Sequence, residues 1–198
     1  YLQSGVQEDE YVADCYYSLA KAYQSKEEYD KAVEYCEKAL VIDKKLYGEN
    51  HPIIAVRYNN LVLIYSGKQE YDKAIQYSEK ALKIYRNAYG EDHPEIAISY
   101  SNLALIYSDT GNYDKAIEYL QISLEMGRKY YGEDHPKMAN RYNNLAVVHY
   151  LNGDYNSAAN CYEKAYNIIL KFDDTNTKDI ETIKANYLAA KERMKNNP

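Results

Sequence analysis

The sequence predicts an all-α solenoid of antiparallel helix pairs, closed by a C-terminal capping helix. Three observations carry that expectation. Gly48, Gly90 and Gly132 recur every 42 residues, as do Pro52, Pro94 and Pro136. The text around them repeats as YGENHPIIA from Tyr47, YGEDHPEIA from Tyr89 and YGEDHPKMA from Tyr131. Within each period two stretches carry apolar residues at the three-and-four spacing of amphipathic helices, and none alternates as a strand does. Repetition at this length marks stacked units that bury their apolar faces only against one another.

The repeats fall near residues 8–47, 50–89, 92–131 and 134–171, and the chain from 1 to 198 reads as one domain. Residues 1–7 lie outside the period and are expected to be a linker or the stump of a preceding repeat. Tyr1 in place of Met implies a piece of a longer chain. In the second repeat the first helix is expected over Pro52–Ser66, with Ile54, Ala55, Tyr58, Leu61, Val62 and Tyr65 on one face. Proline suits its first position, where a missing N–H costs nothing and the fixed φ helps. Gly67, with Gly111 and Gly153 as counterparts, is expected to make the tight turn. The second helix follows over Tyr71–Tyr89, with Ala74, Ser78, Ala81, Leu82, Tyr85 and Ala88 facing inward and Gly90 stopping it. A last helix, near 177–196, has no second helix after it. Its narrow apolar stripe of Ile180, Ile183, Tyr187 and Leu188 against a charged back is what the end of a repeat array needs. Gly127 breaks the pattern inside a helix, at a cost of about 1 kcal/mol relative to Ala, and is open to three readings: a close approach, a local bend or drift.

Composition narrows the function. Hydrophobic residues make up 46% and charged residues 27%, the balance of a folded chain and not of a disordered one. A net charge of −6 disfavours nucleic acid and anionic membranes, which need a clustered positive field. No apolar run approaches the roughly 20 residues of a membrane span, and no secretion signal opens the chain. Cys15, Cys36 and Cys161 stand at apolar positions of the repeat and are expected to be buried reduced thiols of a cytoplasmic protein.

Residues capable of chemistry are absorbed by the period. His51, His93 and His135 are one residue repeated in successive loops. Stacked helices lie about 8–10 Å apart, so such residues cannot converge on one ion at bonds of about 2 Å. They are expected to serve helix entry beside the proline. His149 takes the position of Tyr65 and Tyr107 and is expected to pack. Most of the 26 tyrosines recur with the period, as in Tyr16, Tyr58, Tyr100 and Tyr142, at packing positions. There is no phosphate loop, CxxC, HExxH or GxSxG motif. No catalytic residue, metal site or cofactor is expected, and the chain does not read as an enzyme.

The pattern of an aromatic, Leu, a small residue, two further aromatics and two alanines resembles the tetratricopeptide repeat. Here it reads Tyr58, Leu61, Val62, Tyr65, Tyr71, Ala74 and Ala81, then Tyr100, Leu103, Ala104, Tyr107, Tyr113, Ala116 and Ser123. The 42-residue period, the GEDHP loop and the strings Asn59–Asn60–Leu61 and Asn143–Asn144–Leu145 are similar to the kinesin-light-chain subclass. The resemblance implies a right-handed superhelical solenoid whose first helices line a concave groove. It further implies that an Asn just before the signature Leu bonds the backbone of a bound peptide. In this chain that residue is Asn60, Asn102, Asn144 or Asn186, with Ser18 in the first repeat. Val56 and Leu63, Ile98 and Leu105, and Asn140 and Val147 share its helix face. An amide offers both a donor and an acceptor to an extended backbone, and the aliphatics can bury its side chains. The charges on that face are few: Asp14, Lys21 and Asp109, with Arg57 and Arg141 at its margin. They give no charge preference. The expected partner is therefore a protein or peptide, bound by a scaffold that is monomeric or weakly self-associating. A regulatory arm of a larger signalling protein or enzyme, or a self-association module, are the other readings of the same residues.

Overall fold

A computed structural model of the chain describes residues 2–172 and 177–196. Their helices are α1 (Leu2–Ser25), α2 (Tyr29–Tyr47), α3 (Pro52–Gly67), α4 (Tyr71–Tyr89) and α5 (Pro94–Asp109), followed by α6 (Tyr113–Tyr131), α7 (Pro136–Leu151), α8 (Tyr155–Phe172) and α9 (Thr177–Asn196). Among the described residues there is no strand. The fold is all-α, built of consecutive helix pairs with a terminal helix, as the period predicts. Leu2–Gln7 is not a linker: it belongs to α1, because nothing like the proline of the later repeats fixes a start at residue 8. Tyr1 lies outside the described residues.

The chain forms two compact units, Tyr1–Asn102 and Leu103–Pro198, and the division falls inside α5. In the first, α1 packs on α2, α2 on α3, and α3 on α4. In the second, α6 packs on α7, α7 on α8, and α8 on α9. Ala32, Ala74, Ala116 and Ala158 are each fully buried, which explains their recurrence: a methyl group lets paired helices approach closely. Leu61, Val62 and Ile64 fill the first core, and Met138, Tyr142, Leu145, Tyr162 and Ile183 the second.

Each inter-repeat loop is held the same way. The histidine is the N-cap: Nδ1 of His51, His93 and His135 accepts a hydrogen bond from the backbone N–H two residues on, at 3.3, 3.3 and 3.1 Å. Its ring stacks on the tyrosine that ends the preceding helix, with centroids 4.8, 4.0 and 4.6 Å apart. The loop Glu is tied back to a cation in that helix, in Lys44–Glu49, Arg86–Glu91 and Arg128–Glu133. Gly48, Gly90 and Gly132 end their helices at φ of 83°, 80° and 83°, which only glycine adopts without strain.

The turn inside each repeat departs from expectation. Gly67 is the last residue of α3 and not the turn residue; a Cβ there would stand 2.5 Å from the Tyr29 ring. The left-handed position lies two residues later, at Gln69 with φ 62°, and its counterparts are Glu27, Gly111 and Gly153. Two glycines of different origin thus mimic one repeated position. The tyrosines pack in pairs: Tyr23 on Tyr35, Tyr65 on Tyr77 and Tyr107 on Tyr119 are stacked at 5.3 to 5.5 Å. Lys31, Lys73 and Lys115 cover the first ring of each. In the fourth repeat His149 and Cys161 take the two ring positions.

Two smaller expectations also change. Leu188 is exposed, while Ile183 and Ala190 bury the seam of α9, because Leu188 lies on the side away from α8. Of the cysteines only Cys36 is buried; Cys15 is exposed and Cys161 half-buried. Cys15 holds the repeat position of Arg57 and Arg141.

Candidate functional site

The residues expected to line a groove lie on α3 and α5 in the first unit and on α5, α7 and α9 in the second. Ile98 and Leu105 on α5 are 41% and 47% exposed, and Val147 on α7 is 36% exposed. Those are large apolar side chains left in water on helices whose opposite faces are core. Val56 and Leu63 on α3 are half-buried. Asn140 and Asn144 are exposed, and Asn102 and Asn186 half-buried.

Asn60 sits differently. It is 5% exposed, and its Nδ2 donates to the Cys36 thiol at 3.7 Å, while that thiol donates to the Arg57 carbonyl at 3.5 Å. Burial pushes the thiol pKa up to about 11, so it stays protonated and can both donate and accept. Counting 24 residues back from Asn144 gives Leu120, which offers an amide no polar atom, and Asn144 is exposed. The neighbouring amide, Asn59, exchanges hydrogen bonds with Ser99 at 3.3 Å within the first unit.

Two arginines that sequence reasoning left at the margin carry the electrostatics. Arg57 is 2% exposed; its Nε donates to Asp43 at 2.6 Å and its Nη2 to Asp14 at 3.0 Å. Its guanidinium also lies 4.1 Å from the Tyr17 ring centroid. Arg141, 84 residues on, is 8% exposed and has no such partners. Gly127 explains itself here: a Cβ would stand 2.9 Å from Arg141 Nε and from Met138 Sδ, so the glycine makes room for the arginine stem. The signal was present in the sequence, since 43 and 57, 85 and 99, and 127 and 141 are the same repeat positions. They read Asp with Arg, Tyr with Ser, and Gly with Arg.

Among the described residues no group of three His, Cys, Asp or Glu side chains can hold a metal ion. No described helix is long and apolar enough to cross a membrane. His149 lies 3.4 Å from Asp154; burial holds its pKa below the ordinary value against the pull of that carboxylate.

Comparison with known proteins agrees with the fold. The tetratricopeptide repeat family matches residues 11–85, 58–128 and 95–171. No curated protein matches the chain. Among solved structures, BtubC (BKLC) from P. vanneervenii is similar with a TM-score of 0.78 and 22% identity, over 98% of this chain and 84% of that one. Kinesin-light-chain TPR-like repeats from P. anserina reach 0.76 at 21% identity, over 96% and 89%. A signal transduction ATPase with a tetratricopeptide repeat sensor, from Pyrococcus horikoshii, reaches 0.65 at 26% identity; this chain covers 94% of itself but only 26% of that protein. With the family matching from residue 11 to residue 171 and kinesin-light-chain-like repeats sharing its fold, the chain belongs to the tetratricopeptide repeat family.

Proposed function

We propose that this chain is a non-catalytic binding module that captures an extended segment of a partner protein on the exposed face of its first helices. The observation that carries the reading lies in the second unit, where Leu105 and Val147 are exposed on first helices and α7 also exposes the amides of Asn140 and Asn144. Fully burying one such aliphatic contributes about 1.5–3 kcal/mol, so a few of them supply most of a modest peptide affinity. The amides add register, since each pairs with the N–H and C=O of an extended backbone. Asn60 contributes through packing, its amide being held on Cys36. The module needs no cofactor and acts in the cytoplasm.

A second reading has one observation of its own. The similar ATPase from Pyrococcus horikoshii carries its repeats as a sensor, and this chain matches a quarter of it. The same face then serves as the sensing arm of a larger protein.

Selection from a displayed library of random 12-residue peptides tests the first reading. Peptides are kept that bind the wild type and not an Asn140→Ala/Asn144→Ala variant whose melting temperature matches it. A shared aliphatic pattern among them supports capture on this face. Enrichment that is equal on both proteins, or absent, sinks it.

A further inference from the structure

A recess of about 530 Å³ opens in the first unit, between the turn that joins α1 to α2 and the last turn of α3. Tyr29 and Gly67 both line it and lie in contact. A Cβ at residue 67 would stand 2.5, 2.7 and 2.9 Å from Cε1, Cζ and the hydroxyl oxygen of the Tyr29 ring. The same repeat position holds Ser25, Asp109 and Leu151 elsewhere in the chain. Any of those side chains here would push the ring aside, so the glycine is what lets Tyr29 form a wall of the recess.

The charges of the lining do not balance. Lys31 bonds Glu28 at 2.6 Å, and Lys68 is held between Asp30 at 2.6 Å and Glu70 at 3.0 Å. Both lysines of the lining are therefore already matched by carboxylates. Glu27 is the remaining charge of the lining; it is exposed, and no described side chain pairs with it. An apolar ligand would strip water from five charged side chains. An anion would have to displace a carboxylate from Lys31 or Lys68. A cation meets neither obstacle, because it completes the charge at Glu27 and gains from lying on the Tyr29 ring. The same unit already places cations on tyrosine, with Arg57 4.1 Å from the Tyr17 centroid and Lys31 5.1 Å from that of Tyr23.

We propose that this recess is a binding site for a guanidinium group, with its N–H donors on the Glu27 carboxylate and its plane on Tyr29. The planar fork of a guanidinium matches a carboxylate and stacks on an aromatic ring, which a compact ammonium does less well. The group is carried either by a free guanidino compound or by an Arg side chain of a protein partner. The site stands apart from the groove reading, whose amides are on α7.

The intact chain is titrated with methylguanidinium chloride at constant ionic strength while backbone 15N–1H signals are followed, with methylurea as the neutral isostere. Saturable shifts at Glu27, Asp30 and Gly67, half-complete in the millimolar range and absent with methylurea, are expected. Shifts that do not saturate, or that methylurea reproduces, overturn the proposal. Glu27→Gln and Glu27→Gly are titrated in parallel. Glu27 stands at φ 60°, where the third and fourth repeats have Gly111 and Gly153, so Glu27→Gly keeps the turn and is expected to melt no lower than the wild type. Both variants are expected to bind at least about threefold more weakly. Wild-type affinity in either one overturns the proposal. N-acetylarginine methylamide then separates the two sources. Binding tighter than that of methylguanidinium assigns the recess to an Arg side chain of a protein, and equal or weaker binding to a free guanidino compound. None of these readouts depends on Asn140 or Asn144, so failure here leaves the groove reading standing.

Discussion

The junction of α2 with α3 and the junction of α6 with α7 use the same repeat positions and treat charge in opposite ways. At the first, Asp43 and Arg57 are both buried and bonded at 2.6 Å, with Asp14 closing the other side of the guanidinium. At the second, Gly127 stands where Asp43 would be and Arg141 keeps only backbone carbonyls. Between them the same pair of positions holds Tyr85 and Ser99, a large residue against a small one, with no ion. Three solutions of equal fold show that the repeat constrains volume at this junction and leaves charge free to vary.

The largest way to break the comparison is to remove Asp43. Asp43→Ala leaves Arg57 buried with one solvent-exposed partner and is expected to cost about 3–5 kcal/mol in urea unfolding. A loss below about 1 kcal/mol would mean the pair is not what holds α2 to α3. Next comes the coupling of Gly127 with Arg141. Gly127→Ala brings a methyl within 2.9 Å of the arginine stem, so its helix-propensity gain is offset while Arg141 is present and partly recovered beside Arg141→Ala. A double-mutant cycle is expected to give a coupling of about 0.5–3 kcal/mol, and additive effects would contradict the close approach. Smaller still is Arg141→Met, expected to leave stability within about 1 kcal/mol or raise it, the reverse of removing a member of the Asp43–Arg57 pair.

The smallest effect concerns His149, whose pKa burial holds below the ordinary value. The unfolded chain then takes up the proton first, so His149 favours the folded state fully above its ordinary pKa and progressively less as pH falls below it. Replacing it with the tyrosine of the other repeats, His149→Tyr, is expected to flatten the stability profile between pH 7 and pH 5. An unchanged slope would show that His149 is not buried neutral.

Much of the fold was legible because punctuation and period agree. The loop residues Tyr89, Gly90, His93 and Pro94 each do a local job: stacking ring, left-handed stop, N-cap and first helical residue. The start of α1 was not legible, because an N-terminal helix without proline or cap shows no boundary. Gly67 misled because glycine appears both where φ is positive and where a neighbouring ring leaves no room for a side chain. The face was legible as a set of positions, but not as accessibility. Asn60 and Asn144 are the same letter at the same repeat position, and what differs lies 24 residues upstream, a thiol at Cys36 and a Leu at Leu120. Such dependence on a partner helix is invisible until the two helices are aligned on the period, which is also how the Gly127–Arg141 pair becomes readable.

The central claim is that partners are captured on the first helices, and site-resolved cross-linking tests it most directly. A selected peptide carrying a photoreactive group at each position in turn is irradiated on the wild-type chain, and the adducts are located by mass spectrometry. The account predicts adducts on the first helices of the second unit, around Leu105, Asn144 and Val147. Adducts confined to α4, α6 or α8 would contradict it.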